Sequence, residues 1–242
     1  METGLQLIGC TATEDKLQDG VPEAIQSLRR AGIHVWMITG DKLGTAIEIA
    51  KSCRLFGDDS REKRFVIDSP SKEGAVSVMR EALAAPSVDA LVVSGRSLDF
   101  LLDRKYVGIR DEFRSLAMRC HSVVACRATK DQKAQIVQLV KEGLQSHVLT
   151  LAIGDGANDV PMIKKAHIGI GIYGKEGRQA VQNSDYALPQ FAHLERLLLF
   201  HGRLFYLRIA KTVLYFFFKN VHFSFCQFLY QVCCYIFSTR FE

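Results

Sequence analysis

The sequence lacks several features that would place it in familiar classes of protein. Its seven cysteines include no CxxC spacing, which argues against a zinc-binding or thioredoxin-like motif and predicts reduced, buried thiols in a cytosolic setting. The net charge is only +5 and the basic residues are spread along the chain, whereas nucleic-acid-binding proteins concentrate them on one face. There is no internal repeat and no charged-then-apolar signal peptide at the amino terminus. We therefore expect no nucleic-acid partner and no secretion signal.

What the chain does contain is the pattern of a parallel sheet with helices. Up to about residue 205, short apolar runs alternate with amphipathic stretches, as in βα-repeating folds. The pattern predicts strands at residues 5–10, 33–38, 90–93, 122–126, 148–153 and 167–172. It predicts helices at residues 21–30, 45–53, 71–84, 111–119 and 131–144, and a looser polar stretch at 61–72. The predicted fold class is α/β, with a Rossmann-like parallel sheet over residues 1–205.

Residues 206–242 form a second predicted region with a different composition. The run from Thr212 to Ser238 is aromatic and apolar, and Lys219 is its only Lys, Arg, Asp or Glu. A stretch of this length predicts a transmembrane or membrane-inserted helix, the alternative being a buried helix. Arg203, Arg208 and Lys211 precede the run, so the positive-inside tendency places residues 1–205 in the cytosol.

Three predicted strand ends carry polar side chains suited to phosphate chemistry. Thr39-Gly40-Asp41 follows the second predicted strand, and Arg127 and Lys133 follow the fourth. A hydroxyl with glycine-turn N–H groups suits a phosphate, and a lysine stabilises phosphoryl oxygens. Taken singly, the first is also typical of a turn with a helix cap, and the lysine of a solvated side chain.

The third strand end, Gly154-Asp155-Gly156-Ala157-Asn158-Asp159-Val160, is the most informative stretch. It places two carboxylates four residues apart in a glycine-rich turn. Open α/β folds bind ligands at the carboxyl edge of the sheet, and Mg²⁺ prefers one or two carboxylates with substrate phosphate and water. The alternative is a helix start whose carboxylates cap the positive end of the dipole.

Longer runs carry a family resemblance. The order of hydroxyl, lysine and paired carboxylate resembles the haloacid dehalogenase-like phosphotransferases. The runs DKLQDGVPE, TGDK and GDGANDV are similar to the phosphorylation domain of P-type ATPases. The runs TATEDKLQDGVPEAI, CRATKDQKAQIV, AHIGIGIYGKEGRQA and LYFFFKN resemble, more narrowly, the type IV subfamily of phospholipid flippases. This resemblance extends from about residue 3 to about residue 225.

The resemblance implies a role for each matching residue. Thr39, Gly40 and Asp41 would surround nucleotide phosphates, Arg127 and Lys133 would balance phosphoryl charge, Asp155 and Asp159 would hold Mg²⁺, and Asn158 would orient the phosphoryl region. It further implies ATP as the phosphoryl donor to an aspartate, a phospholipid moved to the cytosolic leaflet of a plasma membrane or endomembrane, and an accessory glycoprotein subunit.

The sequence also departs from the family. The nucleophilic aspartate of the family lies in a DKTGT motif, and no DKTGT occurs in these 242 residues. We therefore expect the isolated chain to be inactive. Two alternatives stay open: a non-catalytic binding or regulatory module, and a haloacid dehalogenase-like phosphatase, for which Glu14, Asp15 and Asp19 are the nearest acidic candidates.

Overall fold

A four-stranded parallel sheet forms the larger layer of the computed structural model, which describes residues 8–10, 17–56, 63–143, 148–174 and 177–238. The strands lie in the order β1-β4-β3-β2, with every neighbouring pair parallel. The central pair is in register from Ala90 opposite Ser122 to Ser94 opposite Cys126. The strands are β1 (Val35–Ile38), β2 (Arg64–Ile67), β3 (Ala90–Ser94) and β4 (Ser122–Cys126).

A second sheet of three parallel strands follows in the chain. Its order is β5-β6-β7, so its strands are neighbours both in sequence and in space. The strands are β5 (Leu151–Gly154), β6 (Ile168–Ile172) and β7 (Tyr186–Leu188). Parallel strands need crossover connections, and helices provide most of them here. The predicted α/β class with parallel sheets is therefore confirmed.

Helices separate the strands along the chain. Around the first sheet they are α1 (Val21–Arg30), α2 (Leu43–Ser52), α3 (Lys72–Ala84), α4 (Gly95–Leu101), α5 (Val107–Arg119) and α6 (Lys130–Gly143). Around the second they are a 3₁₀ turn (Ala157–Asp159), α7 (Val160–Lys165) and α8 (Gln179–Gln182). The chain ends with α9 (His193–Glu195), a π-helical stretch (Arg196–Gly202) and α10 (Arg203–Ser238).

Strand β3 is buried on both of its faces. Leu91 and Val93 pack in one hydrophobic cluster with side chains of α3, α5 and α6. Ala90 and Val92 pack in a second cluster with side chains of α1 and α2. Successive side chains of a strand point to opposite faces, so a continuous apolar run is required wherever helices cover both. This explains why the strand reads as an unbroken hydrophobic segment.

Several elements differ from the sequence-based expectation. Strand β2 lies in the stretch predicted to be loose, and α4, α8 and β7 were not predicted. Strand β2 has only four residues and lies at the edge of its sheet, with Val66 39% exposed, so its apolar run is shorter than that of a central strand. Of the strand predicted at 5–10, residues 8–10 have no regular structure, and residues 5–7 lie outside the described residues.

The chain divides into two compact units, Met1–Leu194 and Glu195–Glu242. Helix α10 belongs to the second unit and is continuous over 36 residues. Within the described residues, however, no helix is both long enough and apolar enough to cross a membrane. The expected membrane-spanning helix is thus not supported.

None of the seven cysteines, all of which lie among the described residues, forms a disulfide, and only some of them are buried. Cys53, Cys120 and Cys126 are buried, whereas Cys10, Cys226, Cys233 and Cys234 are exposed. The expectation of buried thiols is therefore correct for three and wrong for four. Burial raises the pKa of the Cys120 thiol from 9.0 to about 11, because a thiolate is poorly solvated inside the protein.

We expect Cys120 to resist alkylation in the folded chain. At pH 8 its thiol stays protonated, and only the thiolate reacts. Iodoacetamide at pH 8 followed by peptide mass spectrometry should modify the exposed Cys10 first and Cys120 only after urea is added. Equal rates at Cys10 and Cys120 without urea would contradict the buried environment of Cys120.

Candidate functional site

The Thr39–Asp41 turn is joined to the end of β4 by backbone hydrogen bonds. The Thr39 N–H donates to the Ala125 carbonyl at 2.8 Å, and the Ala128 N–H donates to the Thr39 carbonyl at 3.0 Å. The Arg127 N–H donates to the Asp41 carbonyl at 2.8 Å. Within the turn, the Thr39 hydroxyl donates to the Asp41 carboxylate, and the Asp41 N–H donates to Thr39 Oγ1 at 3.2 Å. The first two predicted strand ends therefore form one structure.

Arg127 has a backbone conformation that residues other than glycine rarely adopt. Its φ of 51° lies in the left-handed region, where a non-glycine residue is uncommon. Gly95 lies against it, and a Cβ built at Gly95 would be 2.2 Å from the Arg127 carbonyl oxygen. The close approach of these two loops therefore requires glycine at position 95. The Arg127 side chain itself is exposed.

A capping box fixes the start of α6, and Gln132 is its key residue. The Thr129 N–H donates to Gln132 Oε1 at 2.9 Å, while the Gln132 N–H donates to Thr129 Oγ1 at 3.3 Å. Gln132 Nε2 also donates to the Gly95 carbonyl at 2.8 Å and to Asp99 Oδ1 at 2.6 Å. Sequence analysis assigned Gln132 no role, although the T-x-x-Q spacing of a capping box was visible. This buried amide positions the turn that precedes Lys133.

Lys133 forms an ion pair with Asp159. Its Nζ donates to Asp159 Oδ1 at 2.7 Å, and the two side chains are only 13% and 14% exposed. Lys133 lies on α6, which follows β4 of the first sheet, whereas Asp159 follows β5 of the second. The pair therefore connects the two sheets at their carboxyl edges. Because the pair is largely shielded from water, the attraction between its charges is stronger than in an exposed pair, and loss of either partner would leave the other charge in a poorly solvated position.

The glycine-rich turn is shaped around Asp159. The Gly156 N–H lies 3.4 Å from Asp159 Oδ2, and the Asp159 N–H donates to the Gly156 carbonyl at 3.1 Å. A Cβ built at Gly154 would lie 2.4 Å from the Asp159 Cβ, so only glycine leaves room for the carboxylate to fold back over the strand end. Asp155 and Asn158 are exposed in the same turn.

The structure thus forms two groups from the predicted site residues. Thr39, Asp41 and Arg127 form one, and Lys133 with Asp159 forms the other. No hydrogen bond or ion pair between described residues joins the two groups to each other. Gly40 lies within the first turn, and Asp155 and Asn158 lie exposed in the same turn as Asp159. Both groups follow strands at the carboxyl ends of parallel sheets, which is where α/β proteins bind ligands.

The two carboxylates of the turn suit Mg²⁺ only together with further oxygen ligands. Among the described residues, no group of three or more His, Cys, Asp or Glu side chains is arranged to hold a metal ion. Asp155 and Asp159 alone provide the one or two carboxylates that Mg²⁺ takes when substrate phosphate and water complete its shell. The donor chemistry therefore fits Mg²⁺ bound with a phosphate ligand.

Of the alternative acidic candidates, the structure describes only Asp19. Glu14 and Asp15 lie outside the described residues. Asp19 lies in the turn before α1 and does not follow any described strand.

The fold is that of an α/β protein whose polar candidate site lies at the carboxyl edge of parallel strands. Comparison with known proteins narrows this class. Residues 181–241 match the family model for the phospholipid-translocating P-type ATPase C-terminal region. The chain is 43% identical to human phospholipid-transporting ATPase VA and 42% identical to human phospholipid-transporting ATPase IH, each over 97% of its length. It is 44% identical to phospholipid-transporting ATPase VD of Macaca fascicularis, again over 97% of its length.

The predicted resemblance to type IV phospholipid-transporting ATPases is therefore confirmed, and the chain corresponds in sequence to a part of such a protein. It covers 17% of the VA relative, 23% of the IH relative and 36% of the VD relative. Nearly all of this chain is aligned with each relative, whereas most of each relative lies outside the alignment.

We expect loss of the Lys133 amine to destabilise the fold. Lys133→Gln leaves the Asp159 carboxylate largely buried without its cation, so the free energy of unfolding should fall by about 1–3 kcal/mol. Urea unfolding followed by circular dichroism measures this change. Lys130→Gln, at the exposed first position of the same helix, should change it by less than about 0.5 kcal/mol.

A double-mutant cycle separates the interaction between Lys133 and Asp159 from the other effects of replacing Lys133. Asp159→Asn added to Lys133→Gln should cost less than the sum of the two single changes, since the buried charge is gone. Additive losses would show that Lys133 and Asp159 do not interact.

Proposed function

We propose that this chain supplies the Mg²⁺- and phosphate-binding part of the phosphorylation domain of an ATP-driven phospholipid flippase. The observation that carries the proposal is the Lys133–Asp159 pair, which places a cation and a carboxylate together beside the exposed Asp155. Support also comes from relatives named as phospholipid-transporting ATPases. ATP is the proposed phosphoryl donor and a phospholipid the transported substrate.

In this proposal each side chain acts by position and charge. Phosphoryl transfer needs few covalent contributions from the protein, since most of the catalysis is alignment and charge neutralisation. Lys133 already carries its ammonium group in a shielded position, from which it would contact a phosphoryl oxygen. Arg127 adds a second cation, and Thr39, Gly40 and Asp41 line the neighbouring turn, with Asn158 orienting the phosphoryl group.

Asp155 and Asp159 would hold Mg²⁺, which when bound neutralises phosphate charge.

One further strand could pair with two strand edges that have no partner among the described strands. Among the described strands, β1 pairs only with β4, and β5 pairs only with β6. Both strands end at predicted site residues, Thr39 after β1 and Asp155 after β5. We propose that a parallel strand from another part of the ATPase lies between them and carries the acceptor aspartate. Its carboxylate oxygen would attack the γ-phosphorus of ATP, ADP would leave, and water would later release phosphate.

The second unit is proposed to meet the membrane. Large aromatic side chains along α10 are strongly exposed, with Phe217 at 63% and Phe218 at 68%. Exposed apolar surface of this extent calls for lipid or a protein partner. We propose that the region from about residue 206 associates with the membrane of the flippase, that residues 1–205 are cytosolic, and that an accessory glycoprotein subunit joins the assembled protein.

Substitutions in the glycine-rich turn test the metal site. Mn²⁺ binding to the purified chain in the presence of ADP, followed by electron paramagnetic resonance, should weaken about tenfold or more in Asp155→Asn and in Asp159→Asn, because each removes a charged ligand. Asp111→Asn on the exposed surface of α5 removes the same charge elsewhere and should bind as the unaltered chain does. Equal binding by all three variants would refute the site.

The chain alone is expected to hydrolyse ATP only at background rate. It contains no DKTGT sequence to accept the phosphoryl group. Incubation with γ-labelled ATP and Mg²⁺, followed by acid quench, should give no labelled protein. Acid-stable label on this chain would show that a nucleophile lies within it, and ATP turnover abolished by Asp155→Asn would show that the chain alone is catalytically active.

A further inference from the structure

A basic cleft lies at the amino edge of the first sheet, opposite the carboxyl edge that carries the candidate site. Its volume is about 620 Å³, within the range of small-molecule sites. His34 immediately precedes β1 and His121 immediately precedes β4, and both line it. Since the strands are parallel, their amino ends share one edge and their carboxyl ends the other. The cleft is thus separate from the residues discussed above.

The lining of the cleft is rich in cations. Arg29, Arg30 and Arg54 contribute guanidinium groups, and the described lining includes no carboxylate. One acidic side chain approaches from outside the lining: Glu23 lies 3.6 Å from Arg54, in a pair whose side chains are 61% and 55% exposed. Such an exposed pair is weak. Neither Arg29 nor Arg30 has a carboxylate partner within the described part of the chain.

Arg29 is held in place by uncharged groups. Its Nη1 donates to the carbonyl oxygens of Arg54 and Leu55, each at 3.0 Å. Carbonyls orient a guanidinium group without cancelling its charge. The remaining N–H groups of Arg29 keep the fork geometry that binds phosphate oxygens in pairs.

Arg54 occupies a position that favours glycine. It follows α2 with a φ of 55°, and Arg127 is the only other described non-glycine residue with a positive φ. Helices commonly place glycine at this position after their last turn, because a side chain is disfavoured there. An arginine at this strained position beside a cationic cleft indicates that its side chain has a use.

We propose that this cleft binds a small anion that carries two or more phosphate groups. Three arginines around one cavity carry more positive charge than a ligand with a single carboxylate would neutralise. Arginine also pairs with phosphate through two parallel hydrogen bonds. A soluble polyphosphate and a phosphorylated lipid headgroup share this chemistry. The proposal stands independently of the function proposed for the carboxyl edge.

Arg54→Gly gives a sharp test, because it removes the charge and relieves the backbone strain together. Isothermal titration of the full 242-residue chain with inositol hexakisphosphate should show saturable binding that weakens as salt is added. In Arg54→Gly the affinity should fall about tenfold, while the melting temperature stays equal or rises. Arg30→Gln, at the exposed end of α1, should also weaken binding without lowering the melting temperature.

Arg104→Gln is the matched control, since it removes one exposed positive charge outside the cleft. It should bind inositol hexakisphosphate as the unaltered chain does. Absence of saturable binding, unchanged affinity in Arg54→Gly, or an equal loss in Arg104→Gln would overturn the proposal.

Vesicles distinguish the two sources of the ligand. Flotation with phosphatidylcholine vesicles that contain phosphatidylinositol bisphosphate is compared with flotation on phosphatidylcholine alone. Extra binding to the first vesicles that is lost in Arg54→Gly assigns a lipid headgroup. Inositol hexakisphosphate binding without that extra flotation assigns a soluble polyphosphate.

Discussion

The ion pair between Lys133 and Asp159 is the interaction on which the arrangement of the site depends. The two sheets do not share a hydrogen-bonded strand among the described residues, so their carboxyl edges are connected through side chains. The backbone is constrained on both sides of the pair, before Lys133 and before Asp159. A capping box built on Gln132 sets the start of α6, and the close approach of Gly154 lets the Asp159 carboxylate fold back. A cation and a carboxylate from different sheets thus meet where a phosphate is proposed to bind.

Much of the fold followed from periodicity, because buried parallel strands are continuous apolar runs. Strand β4 and helix α1 lie where the sequence predicted them. The edge strand β2 and the helix α4 were not predicted, because four and seven residues are too few to show a period. Helix α10 covers the run that was predicted from Thr212 to Ser238 but begins earlier, at Arg203. Its relation to a membrane did not follow from the composition of that run.

The candidate site was predictable as a set of residue types and less so as geometry. Glycine turns after strands identified the loops at Thr39 and Asp155, and Arg127 was identified as a cation that follows β4. Strand polarity placed all three at the carboxyl edges. The pairing of Lys133 with Asp159 depends on how α6 meets the second sheet, which no local pattern encodes. Gln132 was missed because its importance comes from burial and from contacts to Gly95 and Asp99, both distant in sequence.

Among the described strands, β1 and β5 each have one edge without a strand partner, and this also affects how the chain behaves in solution. Each presents N–H and C=O groups that β4 or β6 does not satisfy. Such edges are templates for pairing with any extended segment, including one from another copy of the same chain. The isolated chain is therefore prone to concentration-dependent self-association through its sheets, and a peptide of strand-forming sequence that caps these edges would keep it dispersed.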